Sequence, residues 1–161
     1  MKRILALSVL VLVAAVAVGV AVAAGSGHGP KPKKQGKHGA IHVIEHATTD
    51  AVTNRGEGAG ADRVGDVLTF HNDVFYEGNS TKVGSDQGYC VRLVVGQSWE
   101  CVWTTILSGG QITVEGPFYD TKDSVLAITG GTGAYARIRG SMDLIARAGG
   151  TEFDFIFHLN H

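Results

Sequence analysis

The sequence lacks the short motifs that mark several large enzyme classes. It contains no Gly-x-Ser-x-Gly nucleophile elbow, no zinc-protease helix motif and no EF-hand calcium loop. The glycine-rich turn at residues 130–133 is followed by no lysine or arginine before Arg137, which excludes a phosphate-binding P-loop. A dinucleotide-binding motif would need a glycine at Ala136 and then a helix, whereas a strand-like alternation follows.

The chain also lacks helical periodicity and internal repeats. No segment longer than about ten residues has apolar residues at clean helical spacing, and no repeat of solenoid length is present. Apolar and polar residues alternate instead, and near the end of the chain Phe153, Phe155, Phe157 and Leu159 share one face. These patterns predict eight β-strands, at residues 41–49, 66–75, 87–95, 99–107, 111–116, 124–129, 137–148 and 151–160.

Short glycine-containing turns connect most of the later predicted strands. Turns of this length force antiparallel neighbours, because a parallel crossover needs a dozen or more residues. Eight antiparallel strands in a meander can close on themselves, which removes both edges of the sheet. We therefore predict an all-β fold, an eight-stranded antiparallel up-and-down β-barrel with room for one small ligand. A β-sandwich is the alternative architecture.

The first 39 residues differ from the rest of the chain. Residues 1–24 begin with Lys2 and Arg3, continue as a long apolar run and end in small residues, which predicts a secretory signal peptide. The run is also long enough to serve as an uncleaved membrane anchor. Residues 25–39 lack apolar residues and carry four lysines, which predicts a disordered basic linker. This linker is either a solvated spacer or a weak contact with an anionic cell envelope.

The predicted barrel domain, residues 40–161, is acidic. Six of the 14 basic residues precede residue 40, whereas all 15 acidic residues follow it, so the domain has 8 basic against 15 acidic residues and a net charge of −7. A negative domain repels the phosphates of nucleic acids. We therefore expect no nucleic-acid partner and a secreted, extracellular location.

The two cysteines of the chain, Cys90 and Cys101, lie on consecutive predicted strands. If the connecting turn is centred near Val95 and Gly96, they stand directly opposite each other, within reach of a disulfide. An exported protein meets an oxidising compartment, where such a bond persists. We predict a Cys90–Cys101 disulfide. The alternative, a reactive thiol, would require an unpaired cysteine and a nearby base.

Four segments carry a resemblance to a known family. They are residues 43–45, 65–72 and 82–90, and residues 112–118 taken together with 126–133. These segments are similar to the allene oxide cyclase barrel family and, more loosely, to the dirigent proteins that share its fold. The resemblance implies an eight-stranded barrel whose apolar cavity binds a small hydrophobic molecule. It also implies that the cavity folds this molecule for ring closure, with no cofactor and no metal.

The resemblance further implies which residues form the site. In the cyclases a glutamate on the first strand and an asparagine on the second strand are the polar groups, and they correspond here to Glu45 and Asn72. Homo-oligomers, either dimers or trimers, are also implied. The remaining ligand-binding residues are expected to be aromatic ones, namely Phe70, Trp103, Tyr119, Phe155 and Phe157.

The chain departs from the plant cyclases at several positions. Ala47 stands where they have a second asparagine, and Phe118 and Thr121 stand where they have tyrosines. Because a shared fold does not fix the chemistry, two hypotheses follow. One is a barrel that steers cyclisation or coupling of its ligand; the other is a non-catalytic small-molecule binding or cell-surface barrel. A cavity with Glu45 at its base favours the first hypothesis, and an interior filled by side chains favours the second.

Three histidines are placed close together by the predicted barrel. His42 and His46 share a face of the first strand, and His158 lies on the last strand, which neighbours the first in a closed barrel. They are either surface histidines or part of a zinc site, which would need a fourth ligand. Surface histidines are the commoner outcome, and no metal site is predicted.

Overall fold

The computed structural model describes residues 39–53 and 61–160. The predicted signal peptide lies outside the described residues, as does the predicted linker except for Gly39. The described residues contain no helix that is long and apolar enough to cross a membrane. They form ten strands, which are β1 (Ala40–His46), β2 (Ala51–Thr53), β3 (Val67–Phe70), β4 (Asp73–Tyr76), β5 (Lys82–Val94), β6 (Ser98–Leu107), β7 (Gly110–Tyr119), β8 (Ser124–Gly131), β9 (Arg139–Arg147) and β10 (Glu152–Asn160).

These strands close into an eight-stranded antiparallel barrel, as predicted. Strands β5 to β10 pair consecutively, and β10 pairs with β1. On its other side β1 pairs with β4, and β4 pairs with β5, which completes the ring. Strands β3 and β4 pair with successive parts of β5 and are therefore two pieces of one barrel strand.

The first two barrel strands are broken, which the alternation of the sequence does not show. The predicted strand at 41–49 ends at His46, and the short β2 that follows pairs only with β3. The predicted strand at 66–75 is interrupted at residues 71–72. The physical reason for the first break is the side chain of Asn72, whose Oδ1 accepts the backbone N–H groups of Thr48 and Thr49. At the second break the backbone of Asn72 still exchanges hydrogen bonds with that of Asp86 in β5.

Other strand ends shift by a few residues. Strand β5 begins at Lys82 rather than at residue 87, and β7 continues to Tyr119 rather than ending at 116. The glycine-rich segment does not make a tight two-strand turn, because β8 runs to Gly131 and a single 3₁₀ turn follows at Gly133–Tyr135. Strand β9 starts after Arg137, whose positive φ of 67° is incompatible with strand geometry.

The interior of the barrel differs between its two ends. At the end near the β8–β9 connection, Ile112, Met142 and Phe157 are fully buried and form a closed apolar core. The other end carries the β5–β6, β7–β8 and β9–β10 turns. The chamber described below lies toward this second end, which we call the mouth.

The predicted disulfide is present. Cys90 and Cys101 are direct partners in the β5–β6 register, their Cα atoms are 4.0 Å apart, and their sulfurs are bonded. Both cysteines are buried, so the bond ties two neighbouring strands from the inside of the barrel.

Replacing both cysteines with alanine is expected to lower the free energy of unfolding by about 2–3 kcal/mol, because the unfolded chain regains the entropy of the closed loop. Urea denaturation measures this loss. The free energy of unfolding of the wild type should fall by a similar amount when its disulfide is reduced. This comparison distinguishes the effect of the cross-link from that of the lost side-chain packing. Unchanged stability of both proteins would contradict the prediction.

Candidate functional site

An apolar chamber of about 40 Å³ lies inside the barrel toward the mouth. Its wall includes the disulfide and five aromatic side chains, which are Phe70, Trp103, Phe118, Phe153 and Phe155. Two carboxyl side chains, Glu45 and Asp50, also border it. A chamber of this size holds a few water molecules or the end of an organic molecule.

The aromatic rings of the chamber pack edge to face or tilted. The ring of Trp103 lies 6.0 Å from that of Phe70 and 5.5 Å from that of Phe155, measured between centroids. Gly88 is the register partner of Trp103, and a side chain there would collide with the Cβ of Trp103 and the backbone of Val102. The absence of a side chain at Gly88 therefore lets strands β5 and β6 approach each other closely at Trp103.

A wider vestibule of about 520 Å³ opens above the chamber. The two spaces share Asp50, Phe118, Leu144 and Phe153 in their walls, so the vestibule adjoins the chamber. Its remaining wall comes mainly from Tyr119, the last residue of β7, and from the β7–β8 turn at residues 120–123. A ligand of ordinary size would need both spaces, because small-molecule sites usually measure about 300–1,000 Å³.

The β7–β8 turn is held in place by a buried arginine. Both oxygens of Asp120 accept hydrogen bonds from Arg92, at 2.8 and 2.7 Å, and Asp62 accepts a third at 2.7 Å. The guanidinium also lies 3.9 Å from the ring centroid of Trp99. A planar guanidinium that is paired and stacked in this way has little freedom to move, so it fixes this wall of the vestibule.

Glu45 is a buried carboxyl group at the chamber wall. It lies on β1 between Phe153 of β10 and Val74 of β4, and it is only 5% exposed. Burial raises its pKa to about 9, and the negative charge of Asp86 adds to this effect. Burial therefore favours the neutral form of Glu45, which can donate a hydrogen bond or a proton.

Asn72 holds the polar side of the site together. Its Nδ2 donates to Glu45 Oε1 and to Asp50 Oδ1, both at 2.7 Å. Its Oδ1 accepts the N–H of Thr49 at 2.9 Å and the Thr49 hydroxyl at 3.0 Å. Asn72 is only 1% exposed. It therefore holds Glu45 in position from inside the barrel, through the hydrogen bond to Oε1.

No family model matches the chain. Its barrel is similar to solved structures of proteins whose names describe different activities. One is a pyocyanin demethylase, which is 26% identical in sequence and has a TM-score of 0.65. The matched region covers 75% of this chain and 99% of the demethylase chain. The pterocarpan synthase dirigent protein PsPTS1 is 18% identical with a TM-score of 0.65, covering 80% and 98%. The exo-specific intermolecular Diels-Alderase AbnU is 12% identical with a TM-score of 0.63, covering 78% and 100%.

These similarities support the barrel fold of the dirigent and allene oxide cyclase type that the sequence resemblance implies. The matches include nearly the whole of each neighbour, so the similarity is to a complete barrel rather than to a fragment.

The structure brings together most of the residues predicted for the site. Glu45 and Asn72 are in direct contact, and Phe70, Trp103 and Phe155 line the chamber. Of the other two predicted ligand-binding residues, Tyr119 lies in the vestibule wall. Phe157 lies outside both spaces, in the closed core, with its ring centroid 6.4 Å from that of Phe155.

Two acidic residues of the site were not predicted. Asp50 follows the end of the predicted first strand, and Asp86 precedes the start of the predicted third strand, at residue 87. Asp86 is fully buried, its Oδ1 accepts the N–H of Asn72 at 3.1 Å, and burial raises its pKa to about 7. The two-residue period counted back from the inward Cys90 would have placed Asp86 inside the barrel.

The three histidines on the outer face form separate pairs. His42 bonds to Asp154 at 2.7 Å, His46 to Asn79 at 2.6 Å, and His158 to Asp143 at 2.9 Å. Within residues 39–53 and 61–160, no three histidine, cysteine, aspartate or glutamate side chains are arranged to hold a metal ion.

Proposed function

We propose that the protein is a secreted barrel that binds a small hydrophobic molecule in the chamber and vestibule and steers its cyclisation or coupling. Glu45 acts as the acid, and it donates a hydrogen bond or proton to an oxygen of the ligand. Asn72 holds Glu45 in place, and the aromatic wall restricts the ligand to a few conformations. Restricting the ligand in this way lowers the entropy cost of reaching the reactive shape.

One observation carries this proposal: a carboxyl group whose pKa is raised by burial lies in the wall of an apolar chamber that adjoins an open vestibule. A buried acid is costly to maintain, and raised carboxyl pKa values occur preferentially at functional sites. The neighbours support a small-molecule site, because their names describe a demethylase, a synthase and a Diels-Alderase. None of the steps assigned to Glu45 and Asn72 requires a cofactor.

The proposed location and partners follow from the sequence and the disulfide. A buried disulfide persists in an oxidising compartment, which agrees with export by the predicted signal peptide at residues 1–24. In this proposal the basic linker at 25–39 gives a weak contact with the cell envelope, and the barrel assembles as a homo-oligomer.

Native mass spectrometry of the protein purified from its own culture tests whether a ligand is bound. We expect a co-purifying uncharged or weakly charged organic molecule, which solvent extraction then identifies. A barrel that is free of any organic molecule, and that binds none from an extract of the same culture, would contradict the proposal.

Replacing Glu45 with glutamine tests the role of the acid. Glutamine has a similar shape and still accepts the Asn72 N–H group, but it cannot donate a proton. We expect turnover of the identified ligand to fall by about 10²–10⁴-fold while binding is retained. Glu115→Gln, at an exposed position of β7, is the matched control and should leave turnover unchanged. Equal turnover in both variants would remove Glu45 from the mechanism.

The small volume of the chamber favours a second candidate function. At about 40 Å³ the chamber is largely filled by its own side chains, as expected of a barrel that binds without catalysing a reaction. This carrier or cell-surface barrel would retain the co-purifying molecule unchanged. Recovery of the same molecule before and after prolonged incubation distinguishes the carrier from the enzyme.

A further inference from the structure

The indole of Trp103 carries a hydrogen-bond donor that is enclosed beside the chamber and has no acceptor among the described residues. Trp103 borders the chamber and is 4% exposed, and its Nε1 has no hydrogen-bond partner among the described residues. A buried N–H group without a partner costs about 1–3 kcal/mol, so buried indoles usually find an acceptor. Phe70 and Phe155, which pack against the indole, offer no oxygen or nitrogen.

The charges around the mouth disfavour a negatively charged ligand. The vestibule wall includes three aspartates, at positions 50, 120 and 123, and one lysine, Lys122. Asp120 is ion-paired with Arg92, which leaves Asp50 and Asp123 to repel an anion. The ammonium of Lys122 lies 4.1 Å from the ring centroid of Tyr119, and the acidic side chains on either side of it reduce its attraction for an anion. The whole domain from residue 40 is negative as well, so a carboxylate approaching the mouth is repelled.

The shapes of the two spaces limit how a ligand can enter. The chamber of about 40 Å³ admits only one end of an organic molecule, whereas the vestibule of about 520 Å³ has room for its body. Phe118 and Phe153 border both spaces, and their rings meet edge to face with centroids 5.9 Å apart. Such ring surfaces favour a flat conjugated molecule.

We propose that the chamber accepts the oxygen-bearing end of a flat, uncharged molecule and that the indole N–H of Trp103 donates a hydrogen bond to that oxygen. This inference rests on the proposed function and specifies its ligand: a neutral ketone, quinone or ether rather than the anion of a fatty acid. Glu45, a second donor on the same wall, can bind the same oxygen.

Three naphthalenes of similar size test the proposal by titration calorimetry with the full chain. 2-Acetylnaphthalene carries a neutral acceptor oxygen, 2-ethylnaphthalene carries none, and 2-naphthoate carries acceptor oxygens with a negative charge. We expect the ketone to bind about 5–10-fold more tightly than the hydrocarbon, as one hydrogen bond predicts. Naphthoate should bind most weakly, and its affinity should rise with salt concentration because salt screens the repulsion.

Trp103→Phe is the decisive variant, because phenylalanine keeps an aromatic ring and removes the donor. We expect the preference for the ketone over the hydrocarbon to become smaller in this variant, because Glu45 is then the remaining donor of the two. Trp99→Phe is the control for the loss of a buried indole. Because Trp99 stacks on Arg92, which holds the vestibule wall, we expect the affinities for ketone and hydrocarbon to fall together while the preference for the ketone is kept. Thermal unfolding of both variants verifies that they are folded.

The tryptophan fluorescence supplies a second measurement. Because Nε1 of Trp103 is enclosed in this structure, the indole must rotate to reach a ligand oxygen. We expect 2-acetylnaphthalene to change the fluorescence of the Trp99→Phe protein, whose remaining tryptophan is Trp103, and to leave that of Trp103→Phe unchanged.

Two kinds of failure are distinguishable. Equal binding of ketone and hydrocarbon to the wild type, preferred binding of naphthoate, or an unchanged preference in Trp103→Phe would overturn this inference and leave the proposed small-molecule site standing. Binding of none of the three probes would count against both this inference and the proposed function.

Discussion

The free energy of unfolding is expected to fall as the pH rises from about 4.5 to about 9. Glu45 has a pKa of about 9 in the folded protein, because burial and the charge of Asp86 disfavour its ionised form, against 4.5 for an ordinary glutamate. Between these values the folded protein binds more protons than the unfolded chain. The stabilising effect is therefore complete below pH 4.5 and is lost progressively up to about pH 9.

Asp86 also makes the free energy of unfolding fall with rising pH, but over a lower pH range. Burial raises its pKa from 3.8 to about 7, so its contribution is lost between these two values. The two ranges overlap between about pH 4.5 and pH 7, where the decline should be steepest. Each group contributes a slope of at most about 1.4 kcal/mol per pH unit.

Urea denaturation at about pH 5, 7 and 9 measures this slope directly. Glu45→Gln should remove the slope between about pH 7 and pH 9, because glutamine does not ionise, and should leave a shallower slope between about pH 5 and pH 7, where Asp86 still contributes. Glu115→Gln changes an exposed strand position and should leave the slope of the wild type unaltered. If the wild type were equally stable at about pH 5 and about pH 9, Glu45 would not be a neutral acid in the folded protein.

The barrel itself could be predicted from local patterns. A two-residue period and short glycine-containing turns determine which strands are neighbours, and the closure of such a meander follows. The disulfide was predictable for the same reason, since counting residues across one turn places Cys90 opposite Cys101. These features depend on residues that are close in the sequence.

The strand breaks and the acidic cluster could not be predicted in this way. The break in the first strand results from hydrogen bonds between Asn72 and residues 48–50, which lie more than twenty positions away in the chain. The alternation of apolar and polar residues does not reveal such long-range side-chain bonds. The volume of the chamber depends in turn on how five aromatic rings pack, which the order of residues along each strand does not determine.

Replacing Asn72 with leucine is expected to be among the most destabilising single changes, at about 4 kcal/mol or more. The side chain of Asn72 makes five hydrogen bonds, to Glu45, Asp50, Thr48 and, twice, Thr49. Leucine has a similar volume but leaves the N–H of Thr49 without its acceptor. Glu45 and Asp50 would lose the donor that they share.

The same substitution should change the site as well as the fold. The hydrogen bond from Asn72 lowers the pKa of Glu45, so its loss raises that pKa further. Because Asn72 joins the two strand breaks, we expect the segment at residues 47–50 to detach from the barrel first. Hydrogen exchange at the amide of Thr49 should then become fast while exchange in β9 and β10 remains slow.

Two measurements on Asn72→Leu therefore test the hydrogen bonds of Asn72. Urea denaturation measures the loss of overall stability, and hydrogen exchange measures the local detachment of residues 47–50. Asn160→Leu, at the exposed end of β10, provides the matched control and should lower stability by less than about 0.5 kcal/mol. If Asn72→Leu were as stable as Asn160→Leu, the hydrogen bonds of Asn72 would be replaceable by water. In that case the strand breaks would be maintained by the neighbouring strands rather than by the amide, and Asn72 would not position Glu45.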